Sequence, residues 1–250
     1  YFKNWRESDY ELTISNFYVF KIEDGELIQI SKNPQAHGHP CFWISPDGKR
    51  IIATQNFGKG ETCSVQWYSI ENNFIQHLST VEIADGVDTK LLDTSMILRI
   101  SLDGKMALIC QRSVPNGLDL CDIPIVDLTL NKPAITSVIK QVADGVESFA
   151  FHPNNKMAVV TGLGKRTNCI GVLDIASKPA RLLYTLNAKA IGQGIEFTPE
   201  GDKLFVGSAT SGHIEVFDVI GDYELRKNQK FLHVGYGHSS LSIGPRYQSK

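Results

Sequence analysis

The sequence predicts an all-β chain folded as one β-propeller, on three grounds. A phrase recurs along it: an apolar strand, a Pro-Asp-Gly-like turn and a second apolar strand. It reads CFWISPDGKRIIATQ (Cys41–Gln55), ILRISLDGKMALICQ (Ile97–Gln111), SFAFHPNNKMAVVTG (Ser148–Gly162) and GIEFTPEGDKLFVGS (Gly194–Ser208). The turn residues Pro46, Leu102, Pro153, Pro199 and Pro245 stand 56, 51, 46 and 46 residues apart, the repeat length of a blade of short strands. No segment of any length carries a helical apolar period.

Each unit reads as four antiparallel strands, A to D. Strand A ends at the turn, where Asp47-Gly48 and Asp103-Gly104 suit a tight hairpin because glycine tolerates positive φ. Strand B (IIATQ, ALIC, AVVT, LFVG) is almost continuously apolar, as expected where neighbouring blades cover both faces. Strand C alternates in SVQWYSI (Ser64–Ile70), CIGVLDI (Cys169–Ile175), HIEVFDV (His213–Val219) and, near the start, NFYVFKI (Asn16–Ile22), which suits a place nearer the rim. Strand D is the most polar: FIQHLSTVEI (Phe74–Ile83), ITSVIKQV (Ile135–Val142) and RLLYTLNA (Arg181–Ala188).

The ends complete the ring. Residues up to Lys32 supply B, C and D strands without an A strand, and SSLSIGPRY (Ser239–Tyr247) supplies an A strand without a successor. Paired, they make a fifth blade and remove an open sheet edge. Residues 1–250 are therefore expected to form a single propeller domain of five four-stranded blades.

The phrase F-x-P-D/E-G-K followed by I-x-V-F/L-D-I/V resembles the YVTN and lactonase-type propellers, which include 6-phosphogluconolactonase and carboxymuconate cycloisomerase-like proteins. His213–Arg246 is the stretch most similar to them. The resemblance implies a propeller that acts on or binds a small anionic or sugar-derived ligand at its channel mouth. That family usually has seven blades and five are counted here. The chain is then either a compact member or lacks two blades.

Composition excludes some partners. A net charge of −2 and a pI near 6.4 argue against nucleic acid and an anionic membrane surface. No apolar run reaches the roughly 20 residues of a membrane span. The five cysteines lack CxxC spacing and read as buried free thiols, which points to a reducing compartment, the cytoplasm.

In a propeller the D–A and B–C connections share one face, around the channel mouth. Reading these connections in register places His37, His39, Asp88, Lys90, Asp93, Glu147, Gln193 and His238 there. His39, His238 and Glu147 are the candidate catalytic bases, since imidazole titrates near neutrality. His37, Lys90, Gln193, Arg99 and Glu196 are the candidate substrate-binding groups. Arg99 and Glu196 are charges on A strands, at the repeat position also held by Trp43, Ala150 and Ser242. They read either as a structural ion pair or solvated lining, or, for Arg99, as a grip on a substrate carboxylate or phosphate. No cofactor is implied. Asp88 and Asp93, with Glu147, are the alternative as calcium ligands, and the histidines as transition-metal ligands. The competing functional reading is a non-catalytic scaffold that binds a protein partner through the same face. Polar lining of a water-filled mouth accounts for the same residues without a site.

Overall fold

A computed structural model of the chain describes residues 14–37, 42–55, 63–72, 74–83, 96–111, 120–130, 133–162, 170–188, 192–208, 211–235 and 241–243. All of its regular structure is β, in five units. Blade I is the hairpin β1 (Ile14–Glu23) and β2 (Glu26–His37). Blade II comprises β3 (Phe42–Ile44), β4 (Arg50–Gln55), β5 (Cys63–Glu71) and β6 (Phe74–Ile83). Blade III comprises β7 (Met96–Ile100), β8 (Met106–Gln111), β9 (Leu120–Asp127) and β10 (Ala134–Asp144). Blade IV comprises β11 (Val146–Phe151), β12 (Met157–Gly162), β13 (Ile170–Asp174) and β14 (Arg181–Leu186). Blade V comprises β15 (Gly192–Phe197), β16 (Lys203–Ser208), β17 (His213–Ile220) and β18 (Glu224–His233).

Blades II to V are antiparallel meanders, each strand hydrogen-bonded to the next in sequence. Their first strands pack in succession, β3 on β7, β7 on β11 and β11 on β15, so they form the inner layer. The expected closing strand Ser239–Tyr247 lies outside the described residues except for 241–243, which carry no strand.

The turn chemistry recurs with substitutions. In blade II the Ser45 hydroxyl donates to Asp47 (2.5 Å), while the Lys49 and Arg50 amides donate to Asp47 and Ser45 side chains (3.1 and 3.0 Å). Ser101 and Asp103 repeat this in blade III. In blade IV, His152 takes the serine place and accepts the Asn154 amide at Nδ1 (3.0 Å). Its Nε2 lies 2.9 Å from the Gly201 carbonyl, tying the turns of blades IV and V together. Side chains that saturate a turn's amides in this way hold its geometry without help from the sheet.

The core lies between blades. Ile52, Trp67, Leu98 and Ile109 pack blade II on III. Leu108, Ile123, Val142, Phe149 and Val160 pack III on IV. Val159, Val172, Ile195, Leu204 and Phe217 pack IV on V. As expected, a B strand such as β12 is buried along its whole length. The C strands differ from expectation. Their sequence alternates, yet β13 is buried throughout, and β9 and β17 each hold a run of four consecutive buried residues with the rest mostly half-buried. The reason is that neighbours cover both faces, and the polar members are buried with partners. Asp174 accepts from Ser177 and from the Tyr223 hydroxyl (3.1 Å). Glu215 accepts from Lys227 (2.7 Å). The change from core to solvent occurs at strand D instead, where β14 and β18 are mostly half-buried or exposed.

Blade I is less covered. Tyr18, Phe20, Ile22 and Leu27 are exposed on its hairpin. Among the described residues, no helix is long and apolar enough to cross a membrane.

Candidate functional site

The inner layer is organised around Arg99 on β7. Its Nη1 donates to the carbonyls of Phe149 (2.5 Å) and Ile195 (3.1 Å), on β11 and β15. Its Nη2 donates to the Glu196 carboxylate, also on β15. Its guanidinium carbon lies 4.9 Å from the centre of the Trp43 ring on β3. One side chain thus reaches all four complete blades. It needs this enclosure, because the Arg99 and Glu196 side chains are only 12% and 20% exposed and neither charge is well hydrated. Arginine suits the place: its planar fork bonds in two directions while its face stacks on indole.

Toward the mouth, the inner strands carry two equivalent irregularities. In blade IV the pairing Val146↔Gly162 gives way to Ser148↔Thr161, leaving Glu147 as an extra residue in β11. In blade V, Gly192↔Ser208 gives way to Ile195↔Val206, with Gln193 and Gly194 (φ +83°) in the interval. Each bulge stands three residues before the repeat position of Arg99, about 10 Å along the strand. Bulges re-aim side chains and recur beside binding sites.

The sequence reading placed Glu147, Gln193 and His37 in loops, and the structure corrects this. Glu147 and Gln193 belong to β11 and β15, and His37 is the last residue of β2, paired with Ile14. For Glu147 the cause is Gly145. Its φ of +68° turns the chain in a single residue, so β10 runs to Asp144 and β11 begins at Val146. Glu147 is half-buried, while the side chains of His37 and Gln193 are not among those described. His39, His238, Lys90, Asp88 and Asp93 lie outside the described residues altogether. Of the proposed site residues, Arg99 and Glu196 are brought into direct contact. Among the described residues, no three His, Cys, Asp or Glu side chains converge as metal ligands would.

Behind the Glu147 bulge lie two buried cysteines that form no disulfide, Cys110 and Cys121. A hydrogen bond from Cys110, with further ones from the Gly145 and Val146 amides, outweighs burial and brings the Cys121 pKa from 9.0 down to about 7.

A second polar group was missed in the sequence. A cavity of about 360 Å³ in blade V is lined by His213, Glu215 and the β18 residues Lys227 to Phe231. The signal was present in HIEVF, where a histidine and a glutamate two residues apart must share one face of a strand that is otherwise core.

No family model matches the chain, and no curated protein matches it. Solved structures do. A functionally unknown protein from Desulfotomaculum acetoxidans superposes with a TM-score of 0.66 at 17% identity, covering 92% of this chain and 66% of its own. Two proteins, each named a "putative 6-phosphogluconolactonase", come from Bacteroides fragilis and Bacteroides uniformis. The first superposes at TM-score 0.68 and 16% identity, covering 91% of this chain and 67% of its own. The second superposes at 0.69 and 18%, covering 88% and 65%. The likeness is one of fold. The five blade-like sheets are what is shared, and this chain spans about two thirds of the length of these structures.

Proposed function

We propose that the chain is a lactonase- or cycloisomerase-like propeller. It handles a small anionic or sugar-derived ligand above the Arg99–Glu196 pair. The observation that supports this most is the inner layer itself. A guanidinium is fixed in the channel wall by two carbonyls, a carboxylate and an indole, below the paired bulges that carry Glu147 and Gln193. A preorganised charge in a poorly hydrated wall is the kind of group that orients an anionic substrate.

On this reading Glu147, His39 and His238 share acid–base work. One takes a proton from water as its oxygen adds to the lactone carbonyl. The ring oxygen receives a proton as the C–O bond breaks, and the product is the open hydroxy acid. Arg99, Gln193, Glu196, His37 and Lys90 bind and orient the ligand. Asp88 and Asp93 are the residues that would hold a divalent metal if the reaction uses one. The buried thiols Cys110 and Cys121 suit a cytoplasmic protein.

The test is turnover of a panel of sugar-derived lactones, followed by acid release. His39→Ala, His238→Ala and Glu147→Gln should each lower kcat by about 100-fold with folding intact. Equal turnover in the variants removes those residues from the chemistry. The second reading, a protein-binding scaffold, draws on the exposed Tyr18, Phe20, Ile22 and Leu27 of blade I. It stands if no lactone or hydroxy acid binds.

A further inference from the structure

We infer that the cavity around Glu215 is a second binding site, away from the channel, for a small polyhydroxyl ligand of the monosaccharide class. The cavity is built by an irregularity of β18. Between the pairs Glu215↔Phe231 and Phe217↔Lys227, one residue of β17 faces three of β18. The outer strand therefore arches away from Glu215. The arch is held in place: Asn228 donates to Asp218 (2.9 Å), and the Lys230 amide donates back to the Asn228 side chain (2.9 Å).

Beneath the arch, polar groups wait for partners. The Glu215 side chain is 4% exposed, and its Oε1 accepts from Lys227 at 2.7 Å. Its Oε2 is buried and has no hydrogen-bond partner among the described residues, and the same holds for His213 Nδ1. A buried carboxylate oxygen without a donor is costly, so a donor from outside the chain is favoured at this point. The wall beside it is aromatic. The Phe231 ring meets the His213 ring edge-on at 4.8 Å, and His233 meets His213 at 4.9 Å.

Charge and size select the ligand. A cation would be repelled by Lys227 and Lys230, and Lys227 already neutralises Glu215. A free anion carries no hydrogen to donate to the unpartnered Glu215 Oε2, which can only accept. A neutral ring that donates hydroxyls on one side and offers C–H surface to an aromatic wall on the other meets neither objection. The volume of about 360 Å³ lies at the small end of ligand pockets, which suits one sugar ring.

The probe is glucose, titrated into the whole chain while backbone amide shifts are recorded. Shifts should move on β17 and β18. Glu215→Gln and Phe231→Ala should each weaken this binding by at least about ten-fold. Phe231 is 56% exposed, so its variant keeps the fold even if Glu215→Gln does not. The lactone reading concerns β7, β11 and β15, so its failure would leave these shifts unchanged. Three results overturn the inference: no shift on β17 or β18 at any glucose concentration, which leaves Glu215 to a bound water; equal affinity in wild type and Phe231→Ala; or zinc titrating His213 and His233 in place of glucose.

Discussion

Arg99 of blade III and Glu196 of blade V occupy the same place in their repeats and meet across the inner layer of strands as an ion pair. Arg99 also bonds the carbonyl of Phe149 in blade IV and lies against Trp43 in blade II. The charges stand where the repeat elsewhere accepts Trp43 or Ala150, so the backbone does not require them. They join non-adjacent blades directly through the inner layer, which sheet pairing cannot do.

Breaking this pair should therefore cost more than removing it. Arg99→Leu leaves Glu196 poorly hydrated and unpaired, with an expected loss of about 3 kcal/mol. Arg99→Leu combined with Glu196→Leu should lose clearly less than the sum of the single changes. Urea unfolding of the four proteins measures this coupling, and strict additivity would show that the pair is not an energetic unit.

Gly201 is held at φ +77°, and a Cβ there would lie 2.5 Å from Nε2 of His152, the atom that meets the Gly201 carbonyl. Gly201→Ala combines a strained backbone with a clash at the junction of blades IV and V. A loss of about 2 kcal/mol or more is expected in chemical unfolding. By contrast Gly25, also at positive φ, has nothing within 4 Å of the place a Cβ would take, so Gly25→Ala should show the backbone cost alone.

Asp174 gives the fold a predictable acid response. Burial pushes its carboxyl upward, but hydrogen bonds from the Ser177 side chain and amide, Tyr223 and the Ala176 amide win, and its pKa is lowered from 3.8. A carboxylate depressed on folding stabilises the native state above its unfolded pKa, and that contribution is lost as pH falls through the folded value. Asp174→Asn should flatten the stability curve below about pH 4. An unchanged acid limb would mean that Asp174 carries no proton linkage.

Cys121 gives the opposite end of the scale. Its folded pKa of about 7 lies below the ordinary 9.0, so the thiolate favours the fold. The contribution is complete above about pH 9 and is lost as pH falls through about 7. The stability gap between wild type and Cys121→Ser should widen from pH 7 to pH 9 in unfolding experiments. A gap independent of pH in that window would contradict a thiolate at this position.

Much of this fold was legible because blade grammar is local. The apolar runs around Pro46, Leu102, Pro153 and Pro199, with Asp-Gly, Asn-Asn or Glu-Gly turns, mark the A–B hairpins without any knowledge of neighbours. Burial of the C strands was not legible, since Asp174 and Glu215 look like rim residues until Tyr223 and Lys227 are brought beside them. The site was read in part. The shared repeat position of Arg99 and Glu196 allowed an ion pair as one of several readings, and the bulges at Glu147 and Gln193 depend on pairing with β12 and β16, which sequence does not display. His39 and His238, read from the sequence as mouth residues, lie outside the described residues.

The most direct measurement of the central claim is the position of a bound aldonate, the open product of a sugar lactone, in crystals of the chain. We expect gluconate at the channel mouth above Arg99, within hydrogen-bond reach of Glu147 or Gln193, with the Arg99–Glu196 pair beneath it. Gluconate bound elsewhere, or a channel that holds none at saturating concentration, would contradict the account.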